Sequence, residues 1–413
     1  MRKFLGLLLV TLLPAGAGAQ TTLAEYRCAV EAYSWQLRIS RSLSEEARER
    51  MGLAWTGYLP RLSANGDFTY ALRHRDGIKS WSFAVLPELV QVVYGGGAVQ
   101  AAYRQSALGY DAALCDEEFS RLDVRYAADY AYWNLAALGE YLASRQEYVR
   151  IIRSLKEVVD WRFKEGYIAK SDVLMIDARL SEAEYQLITV EQNYAVALHN
   201  FNILRGYDGM HEETLAQSVW DSVPMPERMP FGQVLAARPD YAAAQLRTEA
   251  SRIGVEAAMA PFNPQLSVGV GGAWQPLNPN YTGKTQLDGS LFVRVSVPIF
   301  HGGERRRAAG AARARYRQQE WSEAALHDAV LREELNGWTA VTESRTQIEA
   351  TAESLRIAGE NLEISTYSYN EGLVTVLDVL QAQLNWIQLY TNSITARYDY
   401  ALAVAAYERI TAR

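Results

Sequence analysis

The chain has 413 residues, and its 41 lysines and arginines against 48 aspartates and glutamates leave a net charge of −7. Gripping nucleic-acid phosphates requires a basic excess, so a nucleic-acid partner is not expected. Two cysteines and five scattered histidines (His74, His199, His211, His301 and His327) without ligand spacing point to neither a disulfide framework nor a metal site.

The chain begins with a pattern for removal. Arg2 and Lys3 precede an apolar run from Phe4 to Leu13, and Ala17-Gly18-Ala19 offers a small-residue cleavage site. This predicts a signal peptide over 1–19 and a mature start at Gln20. Beyond it no run reaches the roughly 18 apolar residues of a membrane helix, so any membrane entry is by strands. Cys28 and Cys115 both fall on helical patterns. Two separate buried thiols are preferred there over a disulfide, although pairing stays open.

After Pro60 the sequence alternates. Leu62, Ala64, Gly66, Phe68, Tyr70 and Leu72 share one face, with Arg61, Ser63, Asn65, Asp67 and Thr69 on the other. This predicts a strand over 60–72. A less regular strand follows over 80–94 around Trp81, Phe83 and Val85, and two more are predicted over 264–275 and 287–300. Their lengths suit tilted strands across a bilayer, which need roughly 9–11 residues. A half-buried soluble sheet alternates in the same way. Trp81, Trp274, Tyr281 and Phe300 are candidates for an aromatic girdle or for a sheet core.

Gly96-Gly97 and Glu165-Gly166 bound a proline-free interval predicted as one helix over 97–164. It carries an apolar stripe of Cys115, Phe119, Leu122, Tyr126, Tyr130, Trp133, Ala137 and Tyr141. A second long helix is predicted over 303–370, after Gly302-Gly303 and before Glu371-Gly372. Helices of about 100 Å imply a coiled-coil-like assembly rather than a globule. Ser171 or Asp172, and Asp378, are placed as caps or first-turn acids of the helices that follow.

These features repeat. At a shift of 206 residues Gly96-Gly97 falls on Gly302-Gly303, Glu165-Gly166 on Glu371-Gly372, and Asp172-Val173-Leu174 on Asp378-Val379-Leu380. Upstream, Pro60-Arg61-Leu62-Ser63 matches Pro264-Gln265-Leu266-Ser267 at a shift of 204. The chain therefore divides into a first repeat over 20–204, a connecting segment over 205–237 broken by Gly206, Gly209, Pro224, Pro226 and Pro230, and a second repeat over 238–413. If the strands lie in lipid, four per chain cannot close a barrel. Two copies supply about eight and three about twelve.

Motifs for chemistry are missing from the sequence: no nucleophile elbow and no phosphate-binding Walker pattern. The chain is not expected to be an enzyme, and no cofactor is expected. Gly96 and Gly97, with their partners Gly302 and Gly303, read as close strand-to-helix turns. Arg305-Arg306-Arg307, with Arg313 and Arg315, reads as a solvated face, the alternative being contact with acidic headgroups or the tunnel mouth.

Leu59-Pro60 before a strand, Ala237-Arg238-Pro239-Asp240, Val297-Pro298-Ile299-Phe300-His301-Gly302-Gly303, and Glu371-Gly372 followed by Leu377-Asp378-Val379-Leu380 together resemble TolC-like outer-membrane factors. The resemblance covers nearly the whole mature chain. It implies a homotrimer, with a twelve-stranded transmembrane β-barrel continued by a twelve-helix, all-α coiled-coil tunnel into the periplasm. Arg73–Ser80 and Gln275–Gln286 would be extracellular loops, 205–237 an equatorial belt, and the turns at 165–172 and 371–378 the periplasmic tip. Function follows as a passive export duct in outer-membrane lipid, meeting a periplasmic adaptor and an inner-membrane transporter through Glu165, Gly166, Glu371 and Gly372. The alternative is a soluble periplasmic coiled-coil protein that binds a partner without forming a channel. Of the gate residues the resemblance implies, Asp172, Tyr369 and Asp378 match. The arginine falls at Val374 and a second acidic position at Gln381, leaving Lys170 as a substitute cation.

Overall fold

The computed structural model describes residues 20–73 and 75–413, so the signal pattern over 1–19 and His74 lie outside the described residues. The elements are α1 (Leu23–Tyr33), α2 (Trp35–Trp55), β1 (Arg61–Tyr70), β2 (Trp81–Gly95), α3 (Ala98–Lys164), α4 (Lys170–Leu204), α5 (Phe231–Ala237), α6 (Pro239–Met259), β3 (Gln265–Pro276), β4 (Thr285–Ser296), α7 (Glu304–Asn370) and α8 (Val376–Ile410). The described residues are thus mostly helical with four strands. No described helix is long and apolar enough to cross a membrane.

The residues group into two compact units. The first takes the described part of Met1–Ser34 with Val124–Glu227 and Gly337–Arg409, and the second takes Trp35–Asp123, Arg228–Asn336 and Ile410–Arg413.

In the second unit the strands form one antiparallel sheet in the order β1-β2-β3-β4. Its register gathers the alternating residues into two faces. Leu62 opposes Leu89, Phe68 opposes Phe83, Val270 opposes Leu291 and Val268 opposes Val293, so one face is apolar across all four strands. Pro87 sits inside β2, and the β2–β3 pairing lapses between Val85 and Glu88. A proline has no N–H for the ladder, which explains the weak alternation of that segment. β4 ends at Ser296, short of the predicted 300. Its partner β3 begins at Gln265, opposite Ser296, and Pro298 lacks the donor to go on.

The Arg-Pro-Asp motif starts α6. Pro239 needs no hydrogen bond at the first helical position. Arg238, 3% exposed, donates to Asp240 Oδ1 and Oδ2 at 2.8 and 2.6 Å and to Glu333 Oε2 at 2.6 Å. Nearby, Val234, Val330 and Ile410 form a small core.

Among its described residues the first unit is built of helices and loops, with one isolated bridge between Thr21 and Leu215. Tyr26 stacks on Phe201 at 3.9 Å between centroids and donates to the Phe201 carbonyl at 2.9 Å. Arg27 forks onto buried Asp129 at 2.5 and 2.7 Å. Here α3 buries Val124, Ala128, Tyr132, Trp133, Leu135 and Ala137, while Tyr130 is 48% exposed. Tyr130 therefore leaves the predicted stripe. With apolar residues on several sides of the helix, the 4-3-4 spacing did not single out one buried arc. Cys28 and Cys115 are both free, and Cys28 is exposed rather than buried as expected.

Candidate functional site

Two places in the fold hold side chains poised for more than packing. The first is the sheet. On its apolar face Leu62, Phe68, Leu287 and Leu291 are 72–81% exposed. At its loop end Phe83 lies 6.2 Å from Trp81 and edge-on to Trp274 at 5.1 Å, centroid to centroid, with Phe68 and Tyr70 on the paired strand. Of the other girdle candidates, Tyr281 lies in the loop between β3 and β4 and Phe300 follows β4, both exposed. The opposite face carries Arg61, Asp67, Glu88, Asp288 and Arg294, and Arg294 reaches Glu88 at 3.6 Å. The outer edges of β1 and β4 have no strand beside them among the described residues.

Short turns carry the chain from the sheet into α3 and α7. Gly96, Gly97, Gly302 and Gly303 all have positive φ, from 56° to 93°. At Gly96 a side chain is excluded as well, since a Cβ there would meet the Ala260 carbonyl oxygen. Pro298 lies between β4 and this turn, where no donor is needed. Arg305, Arg306, Arg307, Arg313 and Arg315 are all exposed along the first turns of α7.

The second place is the pair of turns at α3–α4 and α7–α8, both in the first unit. Each long helix ends in the same way. Gly166, at φ 81°, donates to the Phe163 carbonyl at 3.0 Å and Tyr167 to the Arg162 carbonyl at 2.9 Å. Gly372, at φ 78°, donates to the Tyr369 carbonyl at 3.0 Å and Leu373 to the Ser368 carbonyl at 2.8 Å. These are paired Schellman closures. Glu165 and Glu371 are exposed beside them.

Around the turns Ile152, Val159, Ile176, Tyr369, Val379, Leu380 and Ile387 pack from all four helices into one core. Tyr369 is 3% exposed, with its hydroxyl buried and unpartnered. Burial raises its pKa, which Arg162 partly offsets and Asp172 adds to.

Arg162, which sequence reading passed over, joins the two turns. Its Nη2 donates to the carbonyls of Tyr369 and Asn370 at 2.9 and 2.8 Å, and its guanidinium lies 4.4 Å from the Tyr369 ring centroid. It thus caps the C-terminus of α7 from another helix, where a cation suits the dipole. Lys170, the cation the sequence offered, opens α4 at an exposed position, and the guanidinium on the Tyr369 ring is that of Arg162. The only signal for it was a basic residue in the last turn of α3.

Asp172 is half-buried in the first turn of α4, whose N-cap is Ala169 with no side-chain hydrogen bond; Ser171 is not the cap. Asp378 differs. Thr375 precedes α8, and Asp378 Oδ2 accepts from the Thr375 amide at 2.8 Å and its hydroxyl at 2.7 Å. This is a capping box, and those two bonds hold the Asp378 carboxyl below its usual range. Between the turns lies a cavity of about 770 Å³ lined by Trp161, Arg162, Tyr167, Asp172, Tyr369 and Leu377.

Residues 30–205 and 231–413 match the model of the family described as outer membrane efflux protein. The chain is 22% identical over 390 residues to the outer membrane protein TolC of Escherichia coli K12, across 89% of this chain and 77% of that one. It is 23% identical over 309 residues to nodulation protein T of Rhizobium leguminosarum bv. trifolii, covering 69% of this chain and 60% of that protein's length. The crystal structure of the Campylobacter jejuni CmeC outer membrane channel superposes with a TM-score of 0.82 at 19% identity, covering 94% of this chain and 85% of the other.

Proposed function

The chain belongs to the outer membrane efflux protein family, and we propose that it forms a passive export channel of a tripartite efflux or type I secretion system. The channel sits in the outer membrane and extends into the periplasm.

The sheet carries this reading. Its apolar face is exposed, and leaving each large side chain in water forgoes roughly 1.5–3 kcal/mol. Lipid removes that cost but makes unpaired edges costly, at several kcal/mol for each unsatisfied backbone group. The two demands are met together only when β4 of one copy pairs with β1 of the next. Four strands from each chain then make a twelve-stranded barrel from three copies. The helices α3, α4, α7 and α8 of each copy continue as a twelve-helix tunnel, and the polar sheet face lines the bore. A signal removed before Gln20, and a belt formed by 205–237, complete the assembly.

The two turns form the tip. Exposed Trp161, Tyr167, Leu373 and Leu377 around the cavity suit an apolar grip by a periplasmic adaptor that recruits an inner-membrane transporter. Tyr369, Asp172 and Arg162 form the closing contact of the pore. Asp378, repeated around an axis, favours cations at the constriction, in addition to its role in the cap.

Reconstitution into planar bilayers with native mass determination tests the reading. Stable pores from a species of three chains are expected. A detergent-free soluble form without pore activity would support the partner-binding alternative instead.

A further inference from the structure

Within the first unit, the connecting segment and helices α7 and α8 enclose a pocket of about 210 Å³ lined by Trp220, Asp221, Ser222, Arg345, Arg397 and Tyr400, among others. A pocket of this size has room for a phosphate-sized ion or a short carboxylate.

Two polar groups in this pocket are unused. Arg397 makes no hydrogen bond or ion pair with any described residue, and its Nε is buried without a partner. Tyr400 is 5% exposed, and its hydroxyl is likewise buried and unpartnered. Nearby acids are already engaged. Glu140 accepts from Trp220 Nε1 at 2.9 Å and Ser218 Oγ at 2.8 Å. Asp221 accepts from the Ser218 amide at 2.8 Å, and Glu349 lies 4.0 Å from Arg345. Burial lowers the pKa of Arg397, and no neighbouring carboxylate offsets it.

The wall opposite is also fixed. Glu140 holds the Trp220 indole, and its ring lies 4.8 Å from the Arg397 guanidinium carbon. The buried Arg397 Nε–H and the buried Tyr400 hydroxyl each forgo a hydrogen bond that water would have supplied. An oxyanion accepting from Arg397 and Tyr400 together removes both deficits, because charge-assisted bonds are the strong ones.

We propose that this pocket binds a small oxyanion, a phosphate or carboxylate group, held by Arg397 Nε and the Tyr400 hydroxyl beside the Trp220 ring. The site shares no lining residue with the cavity between the turns, and it does not depend on the export reading.

The test uses the full chain, assembled in detergent, titrated separately with inorganic phosphate and succinate at an ionic strength held constant with chloride. Thermal midpoint and tryptophan fluorescence are read, with Trp220→Phe identifying the reporting ring. At least one anion is expected to stabilise saturably and to change the Trp220 signal. Arg397→Met is expected to weaken the apparent Kd by roughly tenfold or more, and Tyr400→Phe by roughly three- to tenfold.

Tyr400→Phe retains the packed ring, so it decides the matter if Arg397→Met does not fold. This variant should also melt higher than the parent without anion, since it loses a buried unpaired hydroxyl, and gain less on adding one. No saturable effect beyond chloride overturns the proposal, as does an unchanged Kd in both variants. So does refusal of both anions together with loosening of the oligomer by Arg397→Met, which would mean that a carboxylate of a neighbouring copy fills the pocket.

Discussion

The two turns at the ends of α3 and α7 share one backbone and differ in how they are held. Each closes through a glycine with positive φ and the same pair of amide-to-carbonyl bonds. At the 206-residue shift, however, Ala169 stands where Thr375 stands, and Arg162 where Ser368 stands. The second turn therefore has its own capping box and also receives the arginine of the first. The first has neither device of its own. One turn is the fixed receiver and the other supplies the arm that reaches it.

Removing the reach should have the largest effect. Arg162→Met deletes two charge-assisted bonds and the ring contact on Tyr369, worth about 1.5–3 kcal/mol per bond before solvent compensates at this half-exposed site. Amide exchange over 369–375 is expected to accelerate by roughly tenfold or more, and, on the proposed gate, pore conductance in bilayers to rise. Exchange that stayed at the parent rate would mean that the second turn needs no help from the first. Thr375→Ala comes next. Loss of an N-cap costs about 0.5–2 kcal/mol, and exchange at the start of α8 should report it while the start of α4 is unaffected. Thr375→Ser should restore protection.

Much of this architecture was legible because it rests on periodicities and punctuation. The alternation of Leu62 to Tyr70 and the glycine pairs placed strands and long helices without any partner in view. Arg162 was not legible, because its significance lies in carbonyls 207 and 208 positions away. Reading by position found valine at 374 and looked to Lys170, and it passed over the cation that α3 sets on the Tyr369 ring. Pro87 was similarly hidden: only the β2–β3 register shows that the ladder lapses there. Tyr130 and Cys28 miss their expected burial for a simpler reason, since a helix made apolar on several sides does not say which side one chain covers by itself.

A smaller effect tests the comparison in the opposite direction. Ala169 already has the extended backbone of an N-cap, at φ −82° and ψ 155°, and Asp172 stands three residues on. Ala169→Thr supplies the missing half of a capping box and should protect the start of α4 by about 0.5–1 kcal/mol, measured by exchange at 171–173. A destabilised variant would show that the first turn is shaped by its neighbours and not merely uncapped.

The smallest effect is one of pH. Bonds from the Thr375 hydroxyl and amide hold the Asp378 carboxyl below its ordinary 3.8, so the folded state binds this proton less readily than the unfolded chain does. The stabilisation is therefore present above the unfolded value and is lost as pH falls through the depressed folded one. Since the carboxylate is exposed, the change should be local to the first turn of α8. Carboxyl-carbon NMR of aspartate-labelled protein should show the Asp378 midpoint below 3.8 in the parent and moving up towards it in Thr375→Ala. An Asp378 midpoint indifferent to Thr375 would mean that the box seen at the second turn does not hold the carboxylate, and the contrast between the turns would then rest on Arg162 alone.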